Sequence, residues 1–302
     1  MNAPAGVRAD YPLERLTTIR TGGRGDWFAR PGGLDELVDL LRWADSEPIE
    51  VGVVGSGSNL LISDNGFRGL VLKLDEDLAT IEQQGERLVC GGGARLPQAA
   101  AQSARAGLSG LEFGVNIPGT VGGAVKMNAN AYGGDLSKVL EWVLIATPEG
   151  AERRVPADLG FSYRKSNLKP REVVARASFA LDPADPSAVK ATLARMRAQR
   201  REAQPSGIKT FGSTFKNPDD PKAEGRSAGV LLDQAGCRGF QVGGARFSEK
   251  HANFVENMGE ATTADVVALM AEGRKRVRDQ FGVSLEPEVQ LLGDVDARGL
   301  WD

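Results

Sequence analysis

Two glycine-rich strings and a few polar clusters carry the side chains able to do chemistry. The first string is Val54-Gly55-Ser56-Gly57-Ser58-Asn59-Leu60-Leu61. Its glycines permit backbone angles closed to other residues and let N–H groups approach an anion, and its serines and asparagine add neutral donors. This is a pyrophosphate cradle that needs no lysine, although a plain turn would use the same residues. No Gly-Lys-Ser/Thr follows, so it is not a P-loop. No helix with a third glycine follows, so it is not a dinucleotide-binding fingerprint. The second string runs Gly114-Val115-Asn116-Ile117-Pro118-Gly119-Thr120-Val121-Gly122-Gly123-Ala124 and continues through Asn128, Asn130 and Gly133-Gly134. Irregular backbone of this length is usually functional. Apolar, glycine-rich and amide-rich, it suits close approach to a flat, phosphate-bearing cofactor; a tight packing loop is the alternative. The polar clusters are Ser162-Tyr163-Arg164-Lys165-Ser166, Gly212-Ser213-Thr214-Phe215-Lys216-Asn217-Pro218 and Ser248-Glu249-Lys250-His251-Ala252-Asn253-Phe254, with Glu288 following Pro287. Taken singly, Ser213 reads as a loop serine, Arg164 as a surface arginine and Glu288 as a strand-start carboxylate.

Composition narrows the chemistry. The 302 residues carry 37 Lys+Arg against 40 Asp+Glu, a net charge of −3, which argues against a nucleic-acid binder held by phosphate attraction. The single histidine, His251, leaves little for a histidine-built metal site or a Ser-His-Asp triad, and no metal site is expected. Cys90 and Cys237 lack C-x-x-C spacing, which fits a reducing compartment. No apolar run reaches the ~18 residues a membrane span needs, and residues 1–11 do not read as a secretory signal. A cytoplasmic enzyme is expected.

The elements that must position these residues alternate between helix and strand. Leu34, Leu37, Val38 and Leu41 have amphipathic helical spacing. Residues 51–54 form a buried strand entering the first string, and residues 69–74 a second strand. Strands are expected at 87–90, 139–147, 152–155 and 173–179. Pro97 and Gly107 bracket a helix, and residues 187–204 form another, closed by Pro205, whose arginines Arg195, Arg197, Arg200 and Arg201 read as a solvated face. From about Ser206 onward the pattern predicts a glycine/serine loop, a short helix over 228–235 and a long helix over 263–281. Thr262 or Thr263 would be the long helix's N-cap and Gly282 its closing glycine. Residues 289–292 form a strand returning to an earlier sheet.

In this order and spacing the two glycine strings resemble the FAD-binding domain of the vanillyl-alcohol-oxidase (PCMH) type. From Thr17-Thr18-Ile19-Arg20-Thr21-Gly22-Gly23 to Leu285-Glu286-Pro287-Glu288-Val289, carrying the three polar clusters in order, the chain is similar to the UDP-N-acetylenolpyruvoylglucosamine reductase (UDP-N-acetylmuramate dehydrogenase, MurB) family. The resemblance implies an α+β fold: a PCMH-type FAD-binding domain over 1–205, in two α+β subdomains (1–76 and 77–205). A smaller α+β substrate-binding domain would cover 206–287, and 288–302 would return to the first domain. It implies non-covalent FAD on residues 54–60 and on Ile117, Pro118, Gly119, Thr120, Gly122, Gly123, Ala124 and Asn128, with NADPH as reductant. The implied reaction is reduction of the enolpyruvyl ether of a UDP-sugar. Ser213 would be the proton donor, Arg164 the holder of the substrate carboxylate, and Glu288 a carboxyl whose pKa is raised so that it donates a hydrogen bond. Tyr163, Lys216, Asn217 and Lys250 would contact substrate, Lys250 at the diphosphate. The segment between Asn217 and Ala228 is short and Gln290 replaces an arginine of some members, which points to the shorter subclass. A monomer binding small molecules, with no nucleic-acid or membrane partner, is expected. A flavin oxidase on the same fold, or a nucleotide-binding module without turnover, are the competing readings.

Overall fold

The computed structural model describes residues 3–205 and 209–301. It divides into two units: Met1–Ala9, Asp26–Ser56 and Arg68–Arg200 in the first, and Asp10–Gly25, Gly57–Phe67 and Arg201–Asp302 in the second. The units part at Arg200, whereas the expected boundary at Ser206 lies outside the described residues.

In the first unit, Glu50–Val53 pairs in parallel with Phe67–Leu72, in register from Glu50 opposite Gly69 to Val53 opposite Leu72. The helix Leu34–Ser46 buries Leu37, Leu40, Leu41 and Ala44 in the same core as Leu70 and Leu72. A five-stranded antiparallel sheet follows, in the order Gly150–Arg154, Leu140–Thr147, Val173–Ala180, Arg87–Gly91, Ile81–Gln84. Its core holds Phe179, Val143 and Ile145, covered by the helix Leu96–Arg105 through the small residues Ala99, Ala100 and Ala104. Side chains this short let a helix approach a sheet closely. Gly107, at φ +69°, turns the chain where Cβ would be strained.

The second string is not one irregular loop. A 3-10 turn, Glu112–Asn116, leads to the helix Val121–Lys126, whose N-cap Thr120 accepts a hydrogen bond from the Gly123 N–H. Val121, Ala124 and Val125 are buried. Three glycines and a proline within seven residues masked a helix of less than two turns.

The second unit departs further from expectation. Its long helix, Thr263–Phe281, has the expected bounds: Thr262 and Asp265 form a capping box, and Gly282 closes it at φ +68°. The helix buries Val266, Leu269, Met270 and Val277 with Phe211, Phe215 and Phe247. Those phenylalanines belong to, or adjoin, a four-stranded antiparallel sheet, in keeping with the implied α+β domain although the residue pattern picked out none of its strands: Thr210–Gly212, Phe254–Asn257, Ala245–Phe247, Gln241–Val242. Strands of two to four residues are too short for alternation to be seen. The terminal strand Gln290–Leu292 pairs in parallel with Leu60–Ile62, also of this unit, in a two-stranded sheet. No helix among the described residues is long and apolar enough to cross a membrane.

Candidate cofactor and active site

In the first unit, Val54 continues the parallel strand, donating its N–H to the Leu72 carbonyl at 2.8 Å. Gly55 follows. A Cβ there would lie 2.4 Å from Thr120 Oγ1, so the first string touches the second at this point and only glycine fits. The second string is fixed from below: Gly122 N–H donates to the Gly92 carbonyl at 2.7 Å. Gly119 is not crowded: a Cβ there would meet Ile117 Cγ2 at 3.6 Å, an ordinary van der Waals contact.

Two buried polar atoms in these strings, Ser56 Oγ and Asn128 Oδ1, have no hydrogen-bond partner among the described residues. In the second unit Asn59 Oδ1 is a third, while its Nδ2 donates to the Glu288 carbonyl at 3.1 Å. The others are Gln204 Oε1 and Arg246 Nε. An orphaned buried polar group costs ~1–3 kcal/mol. That two of them, Ser56 Oγ and Asn128 Oδ1, fall on first-unit residues expected to hold FAD fits a cradle completed there by a polar ligand.

Arg164 sits in the turn that Ser162 and Lys165 close, at φ +56°. Its Nη1 donates to Asn130 Oδ1 at 2.6 Å, and its guanidinium lies 5.0 Å from the centre of the exposed Tyr163 ring. Asn128 Nδ2 donates to the Ser162 carbonyl at 3.1 Å, and Ser166 Oγ donates to the Lys126 carbonyl at 2.8 Å. Residues 126–130 and 162–166 are thereby tied together. Asn130, which the sequence did not mark for a role, helps to orient Arg164. Its only signal was its place two residues after Asn128.

In the second unit, residues 213–216 run antiparallel to 286–288. Phe215 bridges Pro287, Lys216 N–H donates to the Glu286 carbonyl at 2.9 Å, and Glu288 N–H donates to the Thr214 carbonyl at 2.8 Å. Ser213 and Glu288, 75 positions apart in sequence, are therefore on neighbouring strands. Asn253 holds this arrangement: its Oδ1 accepts from Thr214 Oγ1 (2.7 Å) and Phe215 N–H (2.9 Å), and its Nδ2 donates to the Phe215 carbonyl (2.8 Å). A Cβ on Gly212 would come within 2.8 Å of the Asn253 carbonyl, so the glycine before Ser213 serves this packing. Among the expected substrate residues, Lys216 Nζ pairs with Glu286 at 2.5 Å. Asn217 Oδ1 accepts from the Ala228 N–H at 3.2 Å, and Lys250 Nζ donates to the Arg201 carbonyl at 2.6 Å. His251 Nδ1 accepts from the Asn253 N–H, and its ring packs edge-on to Phe254. Burial holds this imidazole below its usual pKa. Cys90 lies in the strand Arg87–Gly91 with no exposure, and burial pushes its thiol up to about 12. Among the described residues no group of three or more His, Cys, Asp or Glu side chains could hold a metal ion.

Residues 26–155 match an FAD binding domain, which together with the α+β architecture defines an FAD-binding flavoprotein. Residues 204–292 match the C-terminal domain of UDP-N-acetylenolpyruvoylglucosamine reductase. The chain is 44% identical over 292 residues to UDP-N-acetylenolpyruvoylglucosamine reductase 2 of Symbiobacterium thermophilum, covering 96% of this chain and 93% of that relative. It is 43% identical to the reductase of Gluconobacter oxydans, covering 97% and 91%. The crystal structure of UDP-N-acetylenolpyruvylglucosamine reductase from Thermus caldophilus superposes with a TM-score of 0.80 at 34% identity, covering 95% of this chain and 99% of that one. The chain belongs to the UDP-N-acetylenolpyruvoylglucosamine reductase family, and is an FAD-dependent oxidoreductase of peptidoglycan synthesis.

Proposed function

We propose that this chain reduces the enolpyruvyl ether of UDP-N-acetylglucosamine enolpyruvate to the lactyl ether of UDP-N-acetylmuramate, using NADPH. The observation that carries the proposal is the pairing of residues 213–216 with 286–288, which brings a hydroxyl-bearing and a carboxyl-bearing residue together. FAD, when bound, supplies the hydride that ends on the methylene carbon, having received it from NADPH. The chain supplies the rest. Arg164, oriented by Asn130, holds the substrate carboxylate through its two-pronged guanidinium. As charge builds on the carbon beside that carboxylate, the cation stabilises it. Ser213 gives that carbon its proton from Oγ. Glu288, whose carboxyl would face a second carboxylate, is held protonated and donates a hydrogen bond. Tyr163, Lys216, Asn217 and Lys250 contact the UDP-sugar. The enzyme acts as a cytoplasmic monomer, with cofactor residues 54–56 and 117–128 belonging to the first unit and 57–60 to the second.

Non-covalent attachment of FAD is supported by the position of Cys90, whose buried thiol is held far from its reactive thiolate form. Holoprotein photoreduced without oxygen and mixed with UDP-N-acetylglucosamine enolpyruvate should reoxidise rapidly. Reoxidation by oxygen alone would make it an oxidase and overturn the proposal. Ser213→Ala should slow this step at least ~100-fold, the usual scale of a general-acid contribution, while flavin reduction by NADPH continues.

A further inference from the structure

The register of the parallel pair sets Val53 opposite Leu72, so the residues just beyond the two strands, Val54-Gly55 and Lys73, emerge side by side. Lys73 is half-buried, and its Nζ donates to the Gly55 carbonyl at 2.6 Å. No carboxylate pairs with it among the described residues. The charged groups acting on it are Arg30 and Arg95, which repel it, and Asp75, which attracts it and is itself paired with Arg30 at 3.4 Å. Two cations and one carboxylate, itself already paired, thus act on Lys73 beside the first glycine string. Burial is the largest influence on Lys73 and holds its ammonium below the usual lysine range. An under-compensated, partly desolvated cation is costly unless an anion joins it. The next residue along carries the orphaned Ser56 Oγ.

Geometry says how the two are connected. Across a trans peptide the C=O and the following N–H point in opposite directions. With the Gly55 carbonyl drawn onto Lys73, the Ser56 N–H is turned away from the lysine. We propose that Lys73 is a cofactor-binding residue: its ammonium polarises the Gly55–Ser56 peptide from behind and supplies the positive charge that the diphosphate of FAD requires. The glycine string by itself contains only neutral donors, and Lys73 completes it from the neighbouring strand.

The inference rests on residues 54–60 being the diphosphate cradle. The test is titration of the full chain, stripped of flavin, with FAD and with riboflavin, which has no phosphate, at low and high KCl. Lys73→Met should raise the FAD dissociation constant about tenfold, the equivalent of ~1.4 kcal/mol. It should leave riboflavin affinity unchanged and flatten the salt dependence, with an unaltered melting midpoint of the flavin-free chain. Lys73→Arg should restore most of the FAD affinity. FAD binding by Lys73→Met equal to that of the unmodified chain would overturn the inference, and so would equal losses for FAD and riboflavin. Failure of the unmodified chain to prefer FAD over riboflavin would instead overturn the cradle reading itself.

Discussion

Arg164 and Asn130 form a short hydrogen bond across 34 positions of sequence. A guanidinium with many rotamers is useful as a carboxylate holder only when its plane is fixed, and a neutral amide oxygen helps to fix it without adding a charge. Asn130→Ala should raise the KM for the enolpyruvyl substrate roughly tenfold, as expected for a lost hydrogen bond to a charged group. Flavin reduction by NADPH should be unaffected, as rapid mixing of each half-reaction would show. Asn130→Asp keeps an acceptor but opposes the charge, and should be worse than Ala. Cys90 gives a prediction in pH. Its thiol is raised from 9.0 to about 12 in the folded chain, so the unfolded chain loses its proton first as pH rises. This residue therefore does not affect stability below pH ~8.5, and it lowers stability above its unfolded pKa, by about 1.4 kcal/mol at pH 10. Urea unfolding at pH 8 and pH 10 should show that much less loss in Cys90→Ala.

At the scale of elements, the short antiparallel run of 213–216 against 286–288 depends on one side chain. Asn253 makes three side-chain hydrogen bonds to residues 214 and 215 while almost fully buried. Asn253→Ala leaves the Phe215 N–H and carbonyl unpartnered, and should cost ~2–4 kcal/mol. Thermal unfolding would measure that cost. Turnover should fall further than folding alone explains, because Ser213 loses its fixed place. Much at this scale was legible: the helix Thr263–Phe281 announces itself through its cap, its apolar face and its closing glycine. The short sheet below it was not, since Gln241–Val242 and Ala245–Phe247 offer too few residues to show a period, and their pairing is decided by burial of Phe247 and Val255. The motif around Asn253 was visible as a pattern; its work as a bracket for Ser213 needed the fold. Lys73 was missed for a similar reason: eighteen residues separate it from Gly55, and only the parallel register makes them neighbours.

At the scale of the whole molecule, the second unit is gathered from three stretches, and its core includes Ile19 and Leu61 together with the phenylalanines of 211, 215 and 247. A fragment beginning at residue 201 lacks both aliphatic side chains and the strand Leu60–Ile62 that partners Gln290–Leu292. Expressed alone it should fail to show a cooperative melt by circular dichroism. No sequence pattern announces this, because residues 10–25 and 57–67 look like ordinary connections of the segment in which they lie.

The chain changes unit after Ala9, Gly25, Ser56, Phe67 and Arg200, and the third of these junctions falls inside the first glycine string. Chimeras made with related enzymes by a single crossover near residue 200 would join an N-terminal stretch from one parent to a C-terminal stretch from the other inside one hydrophobic core. Productive recombinants should need matched exchanges at every junction, which makes this enzyme inherit its two halves as one indivisible block.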